Sequence, residues 1–270
     1  MSVFINSNSF LKLSNFIVRF FSSISDHSLY CEPFIGGGAV FFQKPKSKVE
    51  VINDTNKELI NFYEMVQDDF VSLEKEIRIA LHSRDIHRKA TVIYGNPDMF
   101  SKIKRAAAVW ILSSQSFSSK LNGTWGYGIQ SNTTSKKIKN KRESFTEEYA
   151  IRLQDVQLEC TDALRIIRSR DRVNSFFYLD PPYFNSDCGH YDGYSKEDFE
   201  QLLDLLSKIE GKFILSSYPS EILKDYTEKY NWDQHQIEQI VSVARKKTKQ
   251  KKKIEVLTAN FELPKKELIK

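Results

Sequence analysis

The stretch SFFYLDPPYF, residues 175–184, places an acid, two prolines and a tyrosine directly after an apolar run. The apolar run predicts a buried β-strand. The prolines end that strand, because each proline fixes its own φ and disfavours helix in the residue before it. Asp180 is therefore predicted to lie at the carboxyl edge of the strand, where open α/β sheets bind their ligands.

Strand and helix patterns alternate on both sides of this stretch. Further strands are predicted at 28–32, 48–54, 156–160, 212–217, 235–244 and 253–263. Helical periodicity occurs at 10–21, 56–66, 195–209 and 220–229. Ser195 is the predicted N-cap of its helix, with Asp198 at the N3 position. The alternation indicates an α/β fold with a doubly wound, mostly parallel sheet, and the final pair of strands predicts a hairpin that makes one edge mixed.

The region between residues 63 and 150 departs from this alternation. Helical periodicity at 70–81 and 105–115 is followed by a polar, aromatic and glycine-bearing loop at 117–137, and no strand pattern persists. We therefore expect an inserted, mainly helical domain at 63–150 and a second domain formed by 1–62 together with 151–270. Trp110, within an apolar helical run, is predicted to be a core residue.

The cationic residues are clustered. The chain has 40 Lys and Arg residues against 35 Asp and Glu residues in 270 residues, a net charge of +5. Two blocks, KKIKNKR at 136–142 and RKKTKQKKK at 245–253, contain no acid. Such blocks face either a polyanion or only water, and the absence of internal acids favours nucleic acid somewhat. The second block is predicted to be the turn of the final hairpin.

The three cysteines Cys31, Cys160 and Cys188 form no CxxC pair and have no metal-ligand spacing. A disulfide framework or zinc site is therefore not expected, and no metal is predicted. No apolar stretch is long enough to cross a bilayer, and the amino terminus lacks the features of a secretory signal. We expect a cytoplasmic protein that does not associate with membranes.

A glycine-bearing turn, PFIGGG at 33–38, follows the first strand, and the apolar AVFF after it predicts a helix. Glycines allow the backbone to approach a nucleoside closely, and Asp54 at the end of the next strand could hold ribose hydroxyls. By themselves the glycines could form only a turn, and DPPY could be a structural turn. Their order at successive strand ends predicts one ligand site that also includes Asp180.

Four motifs together resemble one family. YCEPFIGGGAVFF (30–42), VINDTNKELINFY (51–63), LECTDALRII (158–167) and YLDPPYF (178–184) are similar, in order and spacing, to motifs of the Dam-like (D12) class of DNA adenine-N6 methyltransferases. KIEVLTANFEL at 253–263 is similar to the closing strand of the family. The resemblance implies a seven-stranded methyltransferase sheet, with the inserted domain recognising the target.

The resemblance also implies S-adenosylmethionine as methyl donor, double-stranded DNA as substrate, and allows a cognate restriction endonuclease as partner. Asp54 would bind the ribose of the cofactor and Asp162 its adenine amino group, although Asp162 could instead be only a helix N-cap. Cys160 beside it is expected in the core. The methionine and sulfonium end of the cofactor would be surrounded by Glu32, Pro33, Phe34, Gly36 and Gly38, with Asp180 nearby.

The catalytic residues implied are Asp180, Pro181, Pro182 and Tyr183. An adenine amino nitrogen is a poor nucleophile, because its lone pair is delocalised into the ring. The Asp180 carboxylate and the Pro181 carbonyl are two acceptors that can hold both N–H groups in a geometry that localises the lone pair. The base must leave the duplex, and Tyr183 offers a face on which it can stack.

Candidate DNA contacts lie in the inserted domain. Lys102, Lys104 and Arg105 could neutralise phosphates, and Trp125 and Tyr127 could contact or intercalate between bases. Lys120 and the run 136–142 could also neutralise phosphates, and the residues predicted to bind DNA include Lys120, Asn122, Trp125, Tyr127, Lys136, Lys137 and Lys139.

One departure from the family occurs at residues 6–13, where NSNSFLKL replaces a glycine–lysine motif that binds the carboxylate of the cofactor. Two alternatives to a DNA methyltransferase therefore stay open. One is a catalytically impaired, DNA-binding relative of the family, and the other is an RNA adenine methyltransferase that uses the same carboxylate chemistry.

Overall fold

A computed structural model of the chain describes residues 27–185, 194–240 and 252–264. The predicted helix at 10–21, the departure at 6–13, Cys188 and most of the lysine block at 245–253 lie outside the described residues. Within the described ranges, no helix combines the length and the apolar character needed to cross a membrane.

Seven strands form one sheet in the order β3-β2-β1-β4-β5-β7-β6. Their bounds are β1 Leu29–Glu32, β2 Val49–Asn53, β3 Gln157–Glu159, β4 Ser175–Leu179, β5 Lys212–Ser217, β6 Asp233–Ile240 and β7 Lys252–Ala259. β4 pairs in parallel with both β1 and β5, whereas β7 pairs antiparallel with β5 and β6. The predicted seven-stranded, mostly parallel sheet with a mixed edge is confirmed.

The described residues contain nine α-helices. They are α1 Lys57–Asp68, α2 Phe70–Ile79, α3 Arg84–Gly95, α4 Lys102–Gln115, α5 Thr133–Glu143, α6 Glu148–Leu153, α7 Ala163–Arg170, α8 Lys196–Leu206 and α9 Glu221–Tyr230. The N-terminus of α8 forms the predicted capping box: Ser195 accepts from the backbone N–H of Asp198, and the Asp198 carboxylate accepts from the backbone N–H of Ser195. Each bond satisfies one otherwise unpaired backbone N–H.

The chain divides into two compact units. In the described residues, one unit comprises Ile35–Phe42 and Ile52–Thr161, and the other comprises 27–34, Gln43–Val51 and the residues from Asp162 onward. In the first unit α4 packs against α1, α2 and α3 around the fully buried Trp110, which is the predicted core residue. In the second unit, α8 packs its leucines on an apolar sheet face whose buried residues include Cys31, Phe177, Leu179, Leu215 and Val256.

The helix predicted after the glycine-bearing turn is wrong. Residues 39–43 form turns, and a bond of 3.0 Å from the Phe42 N–H to the Gly38 carbonyl marks one helical turn. Pro45 stops further helix, since it lacks an N–H and disfavours helix in the preceding residue. The apolar run is therefore bounded on both sides within a few residues.

Two other predictions need correction. Cys160 is exposed instead of lying in the core, because it follows the short edge strand β3. The loop expected at 117–137 ends earlier, since α5 begins at Thr133, where the lysine-rich sequence still permits helical backbone bonds. Helix α3 was not predicted, because it is polar on average and only His87 and Ala90 in it are buried.

Candidate active site

Asp180 directly follows β4 and is half-buried. Its Oδ1 accepts a hydrogen bond of 2.9 Å from the hydroxyl of Tyr183. Burial raises the pKa of Asp180 to about 6, and the hydrogen bond from Tyr183 opposes that rise. Asp180 can therefore be ionised at neutral pH while titrating closer to neutrality than an ordinary carboxyl.

A serine from the neighbouring strand completes this arrangement. The hydroxyl of Tyr183 lies 3.3 Å from the Oγ of Ser216, which is fully buried at the carboxyl end of β5. The ring of Tyr183 also lies 4.3 Å from that of Tyr218, tilted by 48°. We call Asp180, Tyr183 and Ser216 the Asp180 network. Ser216 was not predicted, although its position at the end of a strand parallel to β4 was a usable signal.

Buried polar residues continue from the Asp180 network along one sheet face. Tyr178 and the buried acids Glu32 and Glu255 are near enough that the pKa of Tyr178 lies well above its usual value, first through burial and then through Asp180, Glu32 and Glu255. Glu32 accepts a hydrogen bond from the hydroxyl of Tyr30. The strand order reverses between β1 and β4, so Glu32 and Asp180 end adjacent strands at the topological switch point.

Pro33, Pro181 and Pro182 stiffen the two chain segments that leave these strands. Pro33 and Pro181 are buried, and Pro182 is half-buried. All peptide bonds of the described residues are trans. The residues after both strands are thus limited to few backbone conformations, which fixes the direction of the side chains beside them.

An aromatic and acidic group lies elsewhere in the same unit. Asp162 is the N-cap of α7, where its Oδ1 accepts from the backbone N–H of Arg165 at 3.0 Å, as the simpler interpretation of this residue predicts. Tyr194 has a buried hydroxyl with no hydrogen-bond partner among the described residues. Burial, Asp198 and Asp162 raise its pKa. The ring of Phe34 meets that of Tyr194 edge to face at 6.4 Å.

In the other unit, Asp54 holds the glycine-bearing turn. Its Oδ2 accepts from the N–H of Gly36 at 3.1 Å and its Oδ1 from the N–H of Asn56 at 2.9 Å. Burial raises the pKa of Asp54, and these backbone hydrogen bonds partly offset the rise. Tyr63, on α1, donates to the Gly36 carbonyl at 2.7 Å.

Gly38 has a φ of 66°, in the region that favours glycine, and an added Cβ would lie 2.8 Å from the ring of Phe42. The sequence did not reveal the role of Asn53 beside it in the same unit. Asn53 is buried, and its amide both donates to the carbonyl and accepts from the N–H of Thr161, each at 3.0 Å. This clamp ties the end of β2 to the segment after β3.

The loop between α4 and α5 presents aromatic rings. Residues 115–128, which we call the aromatic loop, are closed by bonds of 2.7 Å from the Phe117 N–H to the Thr124 carbonyl and from the Gly126 N–H to the Gln115 carbonyl. Ser118 and Ser119 within it have φ of 56° and 58°. Left-handed backbone is costly for a residue with a Cβ, so the surrounding contacts must hold it.

Within the aromatic loop Trp125 and Tyr127 stack at 5.3 Å with an interplanar angle of 19°. Tyr127 is 56% exposed, and the Nε1 of Trp125 is buried without a partner among the described residues. The guanidinium of Arg84 lies 4.8 Å from the Trp125 ring and 5.5 Å from that of Tyr127. Arg84 begins α3, and it was missed because its sequence neighbours show no signal for this contact.

The predicted cationic contacts have different surroundings. Lys136 and Lys137 are exposed on α5, without an acidic partner in the described part of the chain, whereas Lys139 lies 3.6 Å from Glu143. On the same helix, burial and then Lys137 lower the pKa of Lys141 to about 8. Lys120 is half-buried and Asn122 is exposed.

The other three cations proposed for phosphate contact are paired with acids. Lys102 lies 3.0 Å from Glu64, Lys104 lies 2.8 Å from Glu76, and Arg105 donates to Glu58 at 2.8 Å. Their charges are partly compensated, unlike those of Lys136 and Lys137. In the described ranges, no group of three or more His, Cys, Asp or Glu residues could hold a metal ion.

Known proteins similar to this chain are methyltransferases. A type II methyltransferase from Lactococcus lactis subsp. cremoris is 29% identical over 259 residues, covering 86% of this chain and 86% of the relative. A type II methyltransferase from Methanocaldococcus jannaschii is 29% identical over 189 residues, covering 63% and 64%. A third, from Paramecium bursaria Chlorella virus NC1A, is 24% identical over 223 residues, covering 78% and 84%.

The sequence also matches the family model for D12 class N6 adenine-specific DNA methyltransferases over residues 11–248. This match spans most of the 270 residues and includes the glycine-bearing turn, Asp54 and the DPPY motif. The chain belongs to the D12 class of N6 adenine-specific DNA methyltransferases.

Proposed function

We propose that the protein methylates the N6 amino group of adenine within a specific sequence of double-stranded DNA, with Asp180 orienting that amino group. One observation carries the assignment of Asp180. Asp180 directly follows β4 at the topological switch point. Tyr183 donates a hydrogen bond to one of its carboxylate oxygens, and the other accepts no hydrogen bond from the described residues. A fixed carboxylate with a free acceptor is what orientation of an amino group requires.

The residues of each unit suit S-adenosylmethionine, which supplies an electrophilic methyl group when bound. In one unit, Asp54 accepts from the backbone N–H groups of Gly36, Asn56 and Thr55, and its carboxylate has about four lone-pair sites, so one is left for a ribose hydroxyl. We assign Gly36 and Gly38 to the methionine end. In the other unit, Phe34, Asp162 and the unpartnered hydroxyl of Tyr194 suit a nucleobase, which needs an apolar face and polar groups. We assign Glu32 and Pro33 to the methionine and sulfonium end.

The catalytic step that we propose rests on two acceptors. Asp180 accepts one N–H of the adenine amino group and the Pro181 carbonyl accepts the other, so that the nitrogen lone pair is directed outward for in-line attack. Pro182 holds the carbonyl of Pro181 in place, because its ring limits the backbone. The adenine leaves the duplex, and the ring of Tyr183 stacks on it.

DNA binding is assigned to the inserted domain, residues 63–150, as target-recognition domain. The exposed ring of Tyr127, its stacked partner Trp125 and the uncompensated cations Lys136 and Lys137 support this proposal, because DNA binding combines phosphate neutralisation with contacts to bases. We also assign Lys120, Asn122 and Lys139 to DNA binding. Arg84 is added to the set because its guanidinium is held on the two rings.

The type II names of the relatives support a partner. We propose that a restriction endonuclease of the same specificity accompanies this methyltransferase, and that both act on DNA in the cytoplasm. Loss of the methyltransferase gene should then be tolerated only in cells that also lack the nuclease.

The decisive experiment is expression in a bacterial host free of DNA methylation, followed by base-resolution mapping of N6-methyladenine. We expect methylation at one short sequence, and none with Asp180→Ala expressed at the same level. DNA binding without methylation by the wild-type protein would instead identify a catalytically impaired relative. Faster methylation of matched RNA than of DNA in a purified assay would contradict the assignment of substrate.

A further inference from the structure

Two hydroxyl groups, those of Tyr183 and Ser216, form a hydrogen-bonded chain that ends on the Asp180 carboxylate. The hydroxyl of Tyr183 donates to Asp180 Oδ1 at 2.9 Å and lies 3.3 Å from the Oγ of Ser216. A tyrosine hydroxyl carries a single proton, and here that proton is used by Asp180. With that proton on Asp180, Ser216 is the donor in its contact with the oxygen of Tyr183, and the hydroxyl of Ser216 also bonds to that of Tyr178.

The sheet register explains why these residues meet. Leu179 pairs with Leu215 in the parallel ladder between β4 and β5, so Asp180 and Ser216 each lie one residue further at the same sheet edge. Ser216 is fully buried, and the ring of Tyr183 is held by Tyr218 at 4.3 Å. The packed strand β5 thus supplies a fixed donor that does not depend on the loop after Asp180.

A carboxylate needs such a restraint, since the terminal torsion of an aspartate is broad and has no sharp staggered minimum. Tyr183 occupies Oδ1, whereas Oδ2 accepts no hydrogen bond from the described residues. Fixing one oxygen leaves the other directed toward one place. A misplacement of about 1 Å in a reacting geometry can cost about a hundredfold in rate.

We propose that Ser216 and the hydroxyl of Tyr183 are positioning residues that hold the Asp180 carboxylate with Oδ2 available for the adenine amino group. Tyr183 then has a second role, through its hydroxyl, in addition to stacking through its ring. This inference rests on the proposed function of Asp180. It adds a residue from β5, outside the DPPY motif, to the machinery of the reaction.

Charged and titratable groups from three neighbouring strands surround the Asp180 network. Tyr178 lies on β4, Glu32 ends β1 and Glu255 lies on β7, and all three are buried. Tyr178 interacts with Asp180 directly, and Glu255 interacts with Tyr183. Burial brings the pKa of Asp180 to about 6.

The test uses the full-length variants Tyr183→Phe and Ser216→Ala, with Ser217→Ala as matched control. Ser217 is the next residue on β5, is equally buried, and has an Oγ without a partner among the described residues. It pairs with Val256 and so faces the apolar core, away from Asp180. The readouts are kcat and KM for a DNA duplex, and the pH dependence of kcat/KM.

Tyr183→Phe keeps the stacking ring, so KM for DNA should stay unchanged while kcat falls by about ten- to a hundredfold, the value of one lost hydrogen bond to a charged group. The acidic limb of kcat/KM should move up by about one to two pH units, because a bond that favours the ionised carboxylate is lost. Ser216→Ala should give smaller shifts in the same direction, and Ser216→Thr, which keeps a hydroxyl, should restore both. Ser217→Ala should move neither.

An unchanged acidic limb and kcat in Tyr183→Phe would overturn the positioning role. Equal shifts in Ser216→Ala and Ser217→Ala would overturn it too, since the effect would then arise from packing of β5. If the wild-type protein transfers no methyl group, the proposed function fails and this inference fails with it. If the wild type is active and the hydroxyl variants match it, only this inference fails.

Discussion

The Asp180 network and the aromatic loop hold their polar groups in opposite ways. The fully buried Ser216 hydrogen-bonds to Tyr183, and Tyr183 donates to the half-buried carboxylate of Asp180. Each of these groups therefore has a fixed partner inside the fold. Tyr127 is 56% exposed, and Arg84 lies against it by contact with a ring instead of an acid. The first region is arranged to fix an orientation, and the second to leave donors accessible.

This difference follows from the physical demands of the two tasks. Orienting an amino group uses hydrogen bonds that are strongest away from water. Binding a duplex uses charges and rings that must reach the surface of a large partner, with strength that falls as salt rises. Substitutions in the Asp180 network should therefore lower kcat, whereas substitutions in the aromatic loop should weaken affinity for DNA.

The largest effect is expected at the carboxylate. Asp180→Ala should lower kcat by about a hundredfold or more, the cost of removing one preorganised group, while binding of S-adenosylmethionine and DNA stays near normal. Single-turnover methylation and titration calorimetry separate the two properties. Asp204→Ala serves as control, because Asp204 is an exposed acid of the same unit paired only with Lys208. Near-normal turnover in Asp180→Ala would exclude the mechanism.

The pH dependence of the enzyme should reveal the same group. With a pKa of about 6, Asp180 loses its charge as pH falls, so kcat/KM should drop about tenfold for each pH unit below 6. Asp180→Asn should remove this limb along with most activity. A limb near pH 4 in the wild type would mean that Asp180 titrates as an exposed carboxyl.

The same pKa shift has the opposite sign for stability. Burial raises the pKa of Asp180 from 3.8 to about 6, so the folded state binds a proton that the unfolded state has already lost. Its contribution to the free energy of unfolding is fully present below pH 4 and is lost as pH rises through 6. Urea unfolding of Asp180→Asn should show less loss over this window than the wild type.

Changes in the aromatic loop should affect binding instead of turnover. Tyr127→Ala should weaken affinity for the target duplex by about tenfold, since stacking of a base on an aromatic ring contributes roughly 1–3 kcal/mol. Arg84→Ala should weaken it similarly, whereas Arg88→Ala, on the same helix but paired with Asp85, should not. Fluorescence anisotropy measures all three, and equal affinities for Arg84→Ala and Arg88→Ala would remove Arg84 from the interface.

The smallest effect is expected on α5. Neutralising Lys136 and Lys137 should reduce the slope of log K against log salt by roughly one unit for each lost phosphate contact, on target and non-target duplexes alike. Lys139→Gln should change it less, because Glu143 already compensates this charge. An unchanged slope in the double variant would identify α5 as a solvated face.

Local sequence patterns were sufficient for the elements that position the site. The apolar run at 175–179 and the prolines after it located Asp180 at a strand end, and the Ser195 and Asp198 pair located the start of α8. These signals depend only on residues that are close together in the sequence. Contacts between strands cannot be predicted in this way, because Ser216 is brought to Asp180 by the register that pairs Leu179 with Leu215.

Arg84 and Asn53 were missed for the same reason. Arg84 meets Trp125 only through the fold of the inserted region, and Asn53 binds a backbone more than a hundred residues away in sequence. The error at residues 39–43 has a different origin: an apolar run was interpreted as a helix, although Pro45 left it no room to continue.

The two left-handed serines bear on how target specificity can be exchanged between relatives. The left-handed backbone of Ser118 and Ser119 lies in a segment that is closed by two bonds, from the Gly126 N–H to the Gln115 carbonyl and from the Phe117 N–H to the Thr124 carbonyl. A transplant of the rings alone would leave that closure behind. A chimeric methyltransferase should therefore receive the whole aromatic loop, residues 115–128, as one module, including its polar residues.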